Sequence, residues 1–501
     1  MSLAPELRPY QRAVIDAFHS AVAAGHKRVL LVAPTGAGKT VLAAAIIQAS
    51  TVERKPALVL AHRREIVAQT SDKLRAVGIP HGIIQAGTPP SPFEDVQVAS
   101  IQTLGARAIR SDFMPLPGAD LLVIDEAHHC PARTYQRIVD LYPHAVVLGL
   151  TATPCRGDGR GLGGIFDTIV ECPQVAELIH DNYLVRTRCY APVVPDLKGV
   201  RTQVGDYVES QLAERMDKPK LIGDIVTHWH KFGERRKTVA FAVNVQHSVH
   251  ICNEFLKAGV RAEHIDGETP KPERDAALQR LASGDLDVIS NCMVLTEGWD
   301  MPEVGCVILA RPTKKMGLYR QMIGRVLRPA PGKTDAIVLD HSGAAYLHGF
   351  VEDPVEWTLE PDKRAQSAVH RQGGSSTSGT SITECTNCGA LRVGGDPCFH
   401  CGYVPHRGPK PVEVAEGELG RVDARGRATN VAYDPALRAR WHAMLACIGR
   451  ERGYKPGWAA CKYKEKFGDW PRSRYVEPIT PAPEVRSWVR SRMIAFARRS
   501  A

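Results

Sequence analysis

The chain has 501 residues, too many for a single hydrophobic core, so three or more domains are expected. Its 44% apolar and 24% charged content is ordinary for a globular protein. No apolar run approaches the ~18 residues that a membrane-crossing helix needs, and the opening MSLAPELRPYQ lacks a basic stretch followed by an apolar one. These features argue against a membrane protein and against a secretory leader, and the expectation is a soluble cytoplasmic protein.

Thirteen cysteines, nine single and four clustered, do not form the even set of a secreted disulfide framework. Charge is uneven. The formal net charge is +10, yet residues 421–501 alone carry 18 Lys+Arg against 7 Asp+Glu, leaving the rest close to neutral. A polyanion would be held by that tail.

In chain order, RVLLVAP, PALVLA, VQVAS, LLVID and AVVLGLTATP are short, near-continuous apolar runs separated by polar loops or by helical patterns such as TVLAAAIIQAS. Such runs are strands of a parallel sheet covered on both faces, so residues 1–200 are expected to form a doubly wound α/β domain. The rhythm repeats in KTVAFAV, AEHIDG, DVISNC, CVILA and DAIVLD, giving a second α/β domain over residues 201–360 and a cleft between the two. RQGGSSTSGTS lies in a flexible linker, 361–381, because Gly, Ser and Thr have little to bury. A cysteine module at 382–406 and a basic tail of short helices at 421–501 follow.

APTGAGKT, residues 33–40, stands directly after a strand and before a helix. Gly36 and Gly38 allow a turn tight enough for backbone N–H groups to face phosphate oxygens, and the helix N-terminus adds its positive end. Lys39 would reach the β and γ phosphates and Thr40 would hold Mg²⁺. The run LLVIDEAHHC ends on Asp125 and Glu126, adjacent carboxylates at the rim of a core, each of which needs a partner. Ligands gather at the carboxyl ends of parallel strands, which puts these acids beside the phosphate loop. Asp125 would then hold Mg²⁺ through water, and Glu126 would orient and deprotonate the water attacking the γ-phosphate. Adjacency disfavours His128 and His129 as ligands of one ion, and for His128 a role linking the two domains is preferred.

CTNCGALRVGGDPCFHCG contains Cys385, Cys388, Cys398 and Cys401 as C-x₂-C-x₉-C-x₂-C, each pair followed by glycine. Two such turns present four thiolates to one Zn²⁺, a structural zinc ribbon; a redox pair would account for only one C-x-x-C, and His400 is the less favoured substitute ligand. In the tail, RERGYKPGWAACKYKEKFGDWPRSRY mixes cations with Tyr454, Trp458, Tyr463, Phe467, Trp470 and Tyr475. Rings stacking on unpaired bases and rings forming a small core are both open, with most expected inside.

APTGAGKT, DEAH (Asp125–His128), TAT (Thr151–Thr153) and QMIGRVLR (Gln321–Arg328) stand in the order and separation of the superfamily 2 helicases, the DEAD/DEAH-box class, and the resemblance covers roughly residues 5–345. LRPYQ, AHRREIVAQ, VLTEGWDMPEV and GRVLRPAPGKTDAIVLD look most like RadD-type bacterial DNA-repair ATPases and related phage and prophage helicases. The resemblance implies two tandem RecA-like domains that bind ATP. It implies that Arg8 and Gln11 read adenine, that Arg63, Arg64, Gln69, Gln102 and Thr103 contact nucleic acid, and that Thr296 is a phosphate candidate. It further implies that Gly298 and Asp300 line the nucleotide cleft and that Thr151 and Thr153 couple hydrolysis to domain movement. Gln321, Arg325 and Arg328 fall in a catalytic motif, where a guanidinium from the second domain stabilises the γ-phosphate only when the cleft closes; surface ion pairs for the two arginines are the bland alternative.

The expected activity is an ATP-dependent DNA helicase or translocase using ATP, Mg²⁺ and Zn²⁺, acting on single-stranded or forked DNA with RNA left open, and without a membrane. The alternatives are the motor of a restriction or defence system and a nucleotide-gated scaffold.

Overall fold

The computed structural model describes residues 7–62, 64–89, 91, 93–111, 114–130, 133–155, 161–296, 299–360, 366–367, 382–405, 433–473 and 475–497. Arg63, Gly298 and nearly all of the expected linker lie outside them. The chain divides into two compact units, 1–407 and 408–501.

The first unit holds two parallel sheets. Strands β1 (Arg28–Val32), β2 (Ala57–Ala61), β3 (Gly82–Ile84), β4 (Val96–Ser100), β5 (Leu121–Asp125), β6 (Val146–Thr151) and β7 (Thr168–Glu171) form one in the order β3-β4-β2-β5-β6-β1-β7. Every pairing in it is parallel. Consecutive residues serve opposite faces: Val29, Leu31 and Val123 pack into one core, and Leu30, Leu122 and Ile124 into the other. That double cover is why these strands are apolar at nearly every position.

Strand β8 (Arg186–Tyr190) corrects the expected boundary at residue 200. Beyond a two-residue hairpin, β9 (Thr202–Gln203) and β10 (Asp206–Tyr207), come β11 (Thr238–Phe241), β12 (Ala262–Ile265), β13 (Val288–Asn291), β14 (Cys306–Leu309) and β15 (Asp335–Asp340). The second sheet has the order β12-β13-β11-β14-β15-β8, again all parallel, so β8 is its edge. The cause is electrostatic as well as apolar. Buried Arg188 places its guanidinium on Glu234 at 2.6 Å and Asp335 at 2.6 Å, both in the second domain. Thr187 donates from N and Oγ1 to Glu352 Oε1, at 2.8 and 2.7 Å. The Arg188 and Arg236 guanidiniums hold the Glu234 carboxyl down at about 2. The first domain therefore ends near residue 185.

The short strands β16 (Val355–Glu356) and β17 (Gln366–Ser367) pair antiparallel. Then β18 (Ile382–Glu384) and β19 (Leu391–Val393) build the cysteine module, which is anchored on the second domain: Leu391 and Ala390 are fully buried, and the Arg186 guanidinium lies 5.6 Å from the centre of the Phe399 ring.

The second unit has helices Pro435–Glu451, Trp458–Phe467 and Pro483–Ala497. Asp434 caps the first by accepting from Ala436 N at 3.0 Å, and Gly457 and Gly468 turn the chain at the ends of the second with φ +98° and +84°. Trp441, Leu445, Ile448, Tyr463, Phe467 and Val489 fill the centre. The tail's aromatics are thus mostly core, as expected, while Trp470 and Tyr475 are 57% and 95% exposed. Arg440, Arg450, Lys455, Lys464, Arg472 and Arg490 are on the surface.

Candidate nucleotide-hydrolysis site

The phosphate loop hangs between β1 and the helix Lys39–Val52. Gly36 and Gly38 take φ +94° and +86°, a region open to glycine without strain. The loop is held from beneath by the first helix, Pro9–Ala23: Tyr10 Oη donates to Ala37 O at 2.7 Å and Gln11 Nε2 to the same oxygen at 3.2 Å. A Cβ on Gly38 would meet Gln11 Nε2 at 2.6 Å, so the glycine also provides room for Gln11. Arg8 donates from its backbone to Gln11 Oε1 at 3.0 Å, and its guanidinium lies 4.7 Å from the centre of the Tyr183 ring, which packs 5.0 Å from Tyr10. Arg8, Gln11 and the loop are therefore one cluster. Tyr183 completes it and was missed, because a lone aromatic in DNYLV carries no pattern.

Lys39 Nζ lies 3.1 Å from Glu126 Oε1. Thr40, partly buried, follows in the first turn of the same helix. Asp125 ends β5 and accepts from Glu126 N at 2.9 Å. Glu126 is buried and left-handed, φ +52°, a strained backbone for a residue with a side chain, and one that is found at functional sites. Its second oxygen is 3.3 Å from His128 Nδ1, which is also 3.3 Å from Thr151 Oγ1. Thr151 Oγ1 donates to Thr153 O at 3.0 Å and accepts from Thr153 N at 3.1 Å. The two adjacent acids thus have separate partners, and the contacts run on to the second domain. A Cβ on Gly317 would sit 2.8 Å from Thr153 Oγ1.

Gly317 lies on the helix Met316–Gly324, in which Gln321 is buried. At its end a Cβ on Gly324 would meet Thr35 Cβ at 2.4 Å, and one on Gly36 would lie 3.5 Å from Arg328 Cγ. Arg328 is ion-paired with Asp300. A guanidinium of the second domain therefore stands beside the phosphate loop, with the acid expected in the cleft as its partner.

Arg325 and Thr296 make contacts that the sequence did not foretell. Arg325 is buried and donates from Nε to Thr296 O at 3.0 Å and from Nη1 to Trp299 O at 2.9 Å, with Nη2 also on Thr296 O. Its guanidinium thus holds the carbonyls of Thr296 and Trp299. Thr296 is buried and its hydroxyl donates to Met293 O at 2.8 Å, closing a turn in which Met293 takes φ +59°. Its hydroxyl is committed to that turn.

Arg64 and Gln69 are exposed on the helix Arg64–Ala76, and Gln102 is exposed at the end of β4 with Thr103 beside it, partly buried. Gln102 Nε2 donates to His62 O at 3.1 Å, which ties the two expected contact segments together. Gln69, Asp72, Lys271, Arg274, Met293 and Trp299 line a cavity of about 550 Å³ between the domains.

The four cysteines lie apart from this cleft. Cys385 and Cys401 sulfurs are 3.6 Å apart and Cys388 and Cys398 sulfurs 3.7 Å, and the ligand atoms of all four fall within 4.8 Å of one another. A disulfide would need ~2.05 Å, whereas the edge of a tetrahedron of sulfurs at ~2.3 Å from a metal is about 3.8 Å. Gly389 and Gly402, at φ +76° and +71°, donate to Cys385 O and Cys398 O at 2.8 Å and close the two turns. The donor set and its spacing fit Zn²⁺.

Two family models match the chain: the type III restriction enzyme, res subunit, over residues 4–156, and the helicase conserved C-terminal domain over residues 217–330. A protein of Saccharomyces cerevisiae named as an ATP-dependent helicase, IRC3, is 33% identical over 380 residues, 72% of this chain and 54% of that protein. A 51.5 kDa protein of a Lactococcus phage is 30% identical over 328 residues, covering 66% of this chain and 68% of that one. The chain thus spans about half the length of the yeast relative. A fragment of an HsdR-type subunit of a type I restriction enzyme from Vibrio vulnificus shares the fold, with a TM-score of 0.55 at 22% identity over 72% of this chain and 69% of that one.

Proposed function

This chain belongs to the superfamily 2 helicases, and we propose that it is an ATP-driven helicase or translocase that acts on DNA. The observation that carries the proposal is the position of Arg328, against Gly36 of the phosphate loop and across the cleft from the domain that holds Lys39 and Glu126. Phosphoryl transfer needs little more from a protein than positioning and charge, and here the two halves of that requirement come from different domains. ATP would sit with its phosphates on the loop backbone and Lys39 and its base near Arg8, Gln11 and Tyr183. Thr40 and Asp125 would hold Mg²⁺, which screens the phosphate charge. Glu126 accepts a proton from the attacking water, and releasing Lys39 to the phosphates frees its carboxylate for that task. Arg328 stabilises the transferring group only while the second domain is docked, and this makes turnover conditional on closure. Contacts through His128, Thr151, Thr153 and Gly317 pass the state of the site to the helix Met316–Gly324.

DNA is favoured as the track because the +11 excess of residues 421–501 matches a polyanion and because the family model of the type III restriction enzyme, res subunit, matches residues 4–156. The zinc module is read as structural, a clamp on the edge of the second domain. No helix among the described residues is long and apolar enough to cross a membrane. We place the protein with RadD-type repair ATPases and phage helicases, working in the bacterial nucleoid or the phage-infected cell. The proposal is tested by ATP hydrolysis and strand displacement with single-stranded, duplex and forked DNA and with RNA. It expects stimulation by DNA, strongest with single-stranded or forked substrates, and fails if no nucleic acid raises turnover.

A further inference from the structure

Three histidine rings run in contact from the first domain's expected nucleic-acid face to its hydrolytic carboxylate. His62 directly follows β2 and precedes Arg63 and Arg64. Its ring centre is 4.2 Å from that of His129 at an interplanar angle of 55°, and His129 is 4.1 Å from His128 at 40°. His128 reaches Glu126 at 3.3 Å. The outer end is tied to the second contact segment through Gln102, which donates to His62 O at 3.1 Å. The inner end is a single 3-10 turn, Ala127–His129, closed by His129 N donating to Glu126 O at 3.0 Å.

We infer that His62 and His129 are positioning residues, a stacked link through which a strand held by the segments around Arg64 and Gln102 sets the Glu126 carboxylate. The inference rests on the motor reading above. Glu126 Oε1 is paired with Lys39 at 3.1 Å and Oε2 lies 3.3 Å from His128 Nδ1, so a small rotation of the 127–129 turn changes what surrounds the carboxylate. Packed rings transmit displacement because they have few alternative arrangements at this spacing. A shift of His62 is therefore delivered to His129 and, through the backbone bond at Glu126, to the carboxylate. Neither residue belongs to the cluster of Arg8, Gln11, Tyr183 and the phosphate loop proposed to hold ATP, so the link governs the response to DNA and leaves basal hydrolysis alone.

The full chain is assayed for ATP turnover with and without a saturating oligo(dT) single strand, and its affinity for that strand is measured by fluorescence titration. His129→Ala and His62→Ala are expected to keep basal turnover and strand affinity within about twofold of the parent while stimulation falls at least fivefold, roughly the change that a coupling of 1 kcal/mol confers. The double variant should lose no more than either single variant, because one broken link is enough. His129→Phe, which keeps a flat ring in the gap, should restore at least half the stimulation. Parental stimulation in an alanine variant, additive losses in the double variant, equal loss of basal and stimulated rates, or a His129→Phe variant as defective as His129→Ala would each overturn the link. If the parent itself ignores DNA, the motor reading falls and the link with it; a stimulated parent beside equally stimulated alanine variants removes the link alone.

Discussion

Gly324 and Thr35 stand face to face across the two domains, so close that a single methyl on the glycine would lie 2.4 Å from Thr35 Cβ. The last turn of the second domain's helix can therefore meet the phosphate loop only because position 324 has no side chain. Overpacking typically costs about 1–3 kcal/mol, which would disfavour the docked arrangement by roughly 5- to 150-fold. Gly324→Ala should lower DNA-stimulated turnover by a factor in that range while nucleotide affinity, measured by titration with a fluorescent ATP analogue, stays near the parent value. Unchanged turnover would mean that the contact is not part of the working cycle.

The two arginines of the QMIGRVLR segment should separate cleanly. Arg328→Ala removes the group beside Gly36 and should cut stimulated hydrolysis by ~10³ or more, leaving ATP affinity and thermal stability near the parent values. Arg325→Ala strips the donors from Thr296 O and Trp299 O, and unsatisfied buried acceptors cost about 1–3 kcal/mol each. Its first effect should be a lower melting temperature. Calorimetry beside the ATPase assay distinguishes the two, and identical phenotypes would contradict the assignment of different tasks.

The cysteine module should carry about one zinc per chain, as elemental analysis of the native protein would read directly. Cys388→Ser should release it and loosen the ribbon, exposing the edge at Arg186–Tyr190, without unfolding the sheets. A Cys385–Cys401 disulfide in native protein would refute the metal site.

Truncation after Gly420 removes the +11 excess and should keep basal ATPase while weakening DNA binding. Every phosphate that the shortened protein no longer neutralises should flatten the dependence of log affinity on log salt by ~0.7 on single strands and ~0.9 on duplex. Fluorescence titrations at several salt concentrations measure the slope, and equal slopes for the two proteins would make the basic helices a solvated face.

Most of the architecture was legible because doubly covered parallel strands advertise themselves as apolar runs: all ten of the expected strands lie in the two sheets. The strands missed in those two sheets were edges, Thr168–Glu171 among them. Gly82–Ile84 is three residues long, and Arg186–Tyr190 carries two arginines, one of which is buried only because Glu234 and Asp335 meet it across the sheet. The phosphate loop and the DEAH acids were legible as patterns of chemistry. The tasks of Arg325 and Thr296 were not, since a guanidinium spent on carbonyls and one aimed at phosphate are written with the same letter. Tyr183 and the ring contacts of His62 and His129 arise from packing between distant segments, which no local pattern records.

The central claim is that Glu126 turns over ATP in response to a DNA strand. It is tested most directly by steady-state ATP hydrolysis of the full chain, titrated with single-stranded DNA, for the parent and for Glu126→Gln, with ATP and DNA affinities measured alongside. The glutamine keeps size and polarity but cannot take the proton. The account predicts turnover that rises with DNA in the parent and is abolished in the variant, with both affinities preserved. Turnover that ignores DNA, or a variant within a few-fold of the parent, would contradict it.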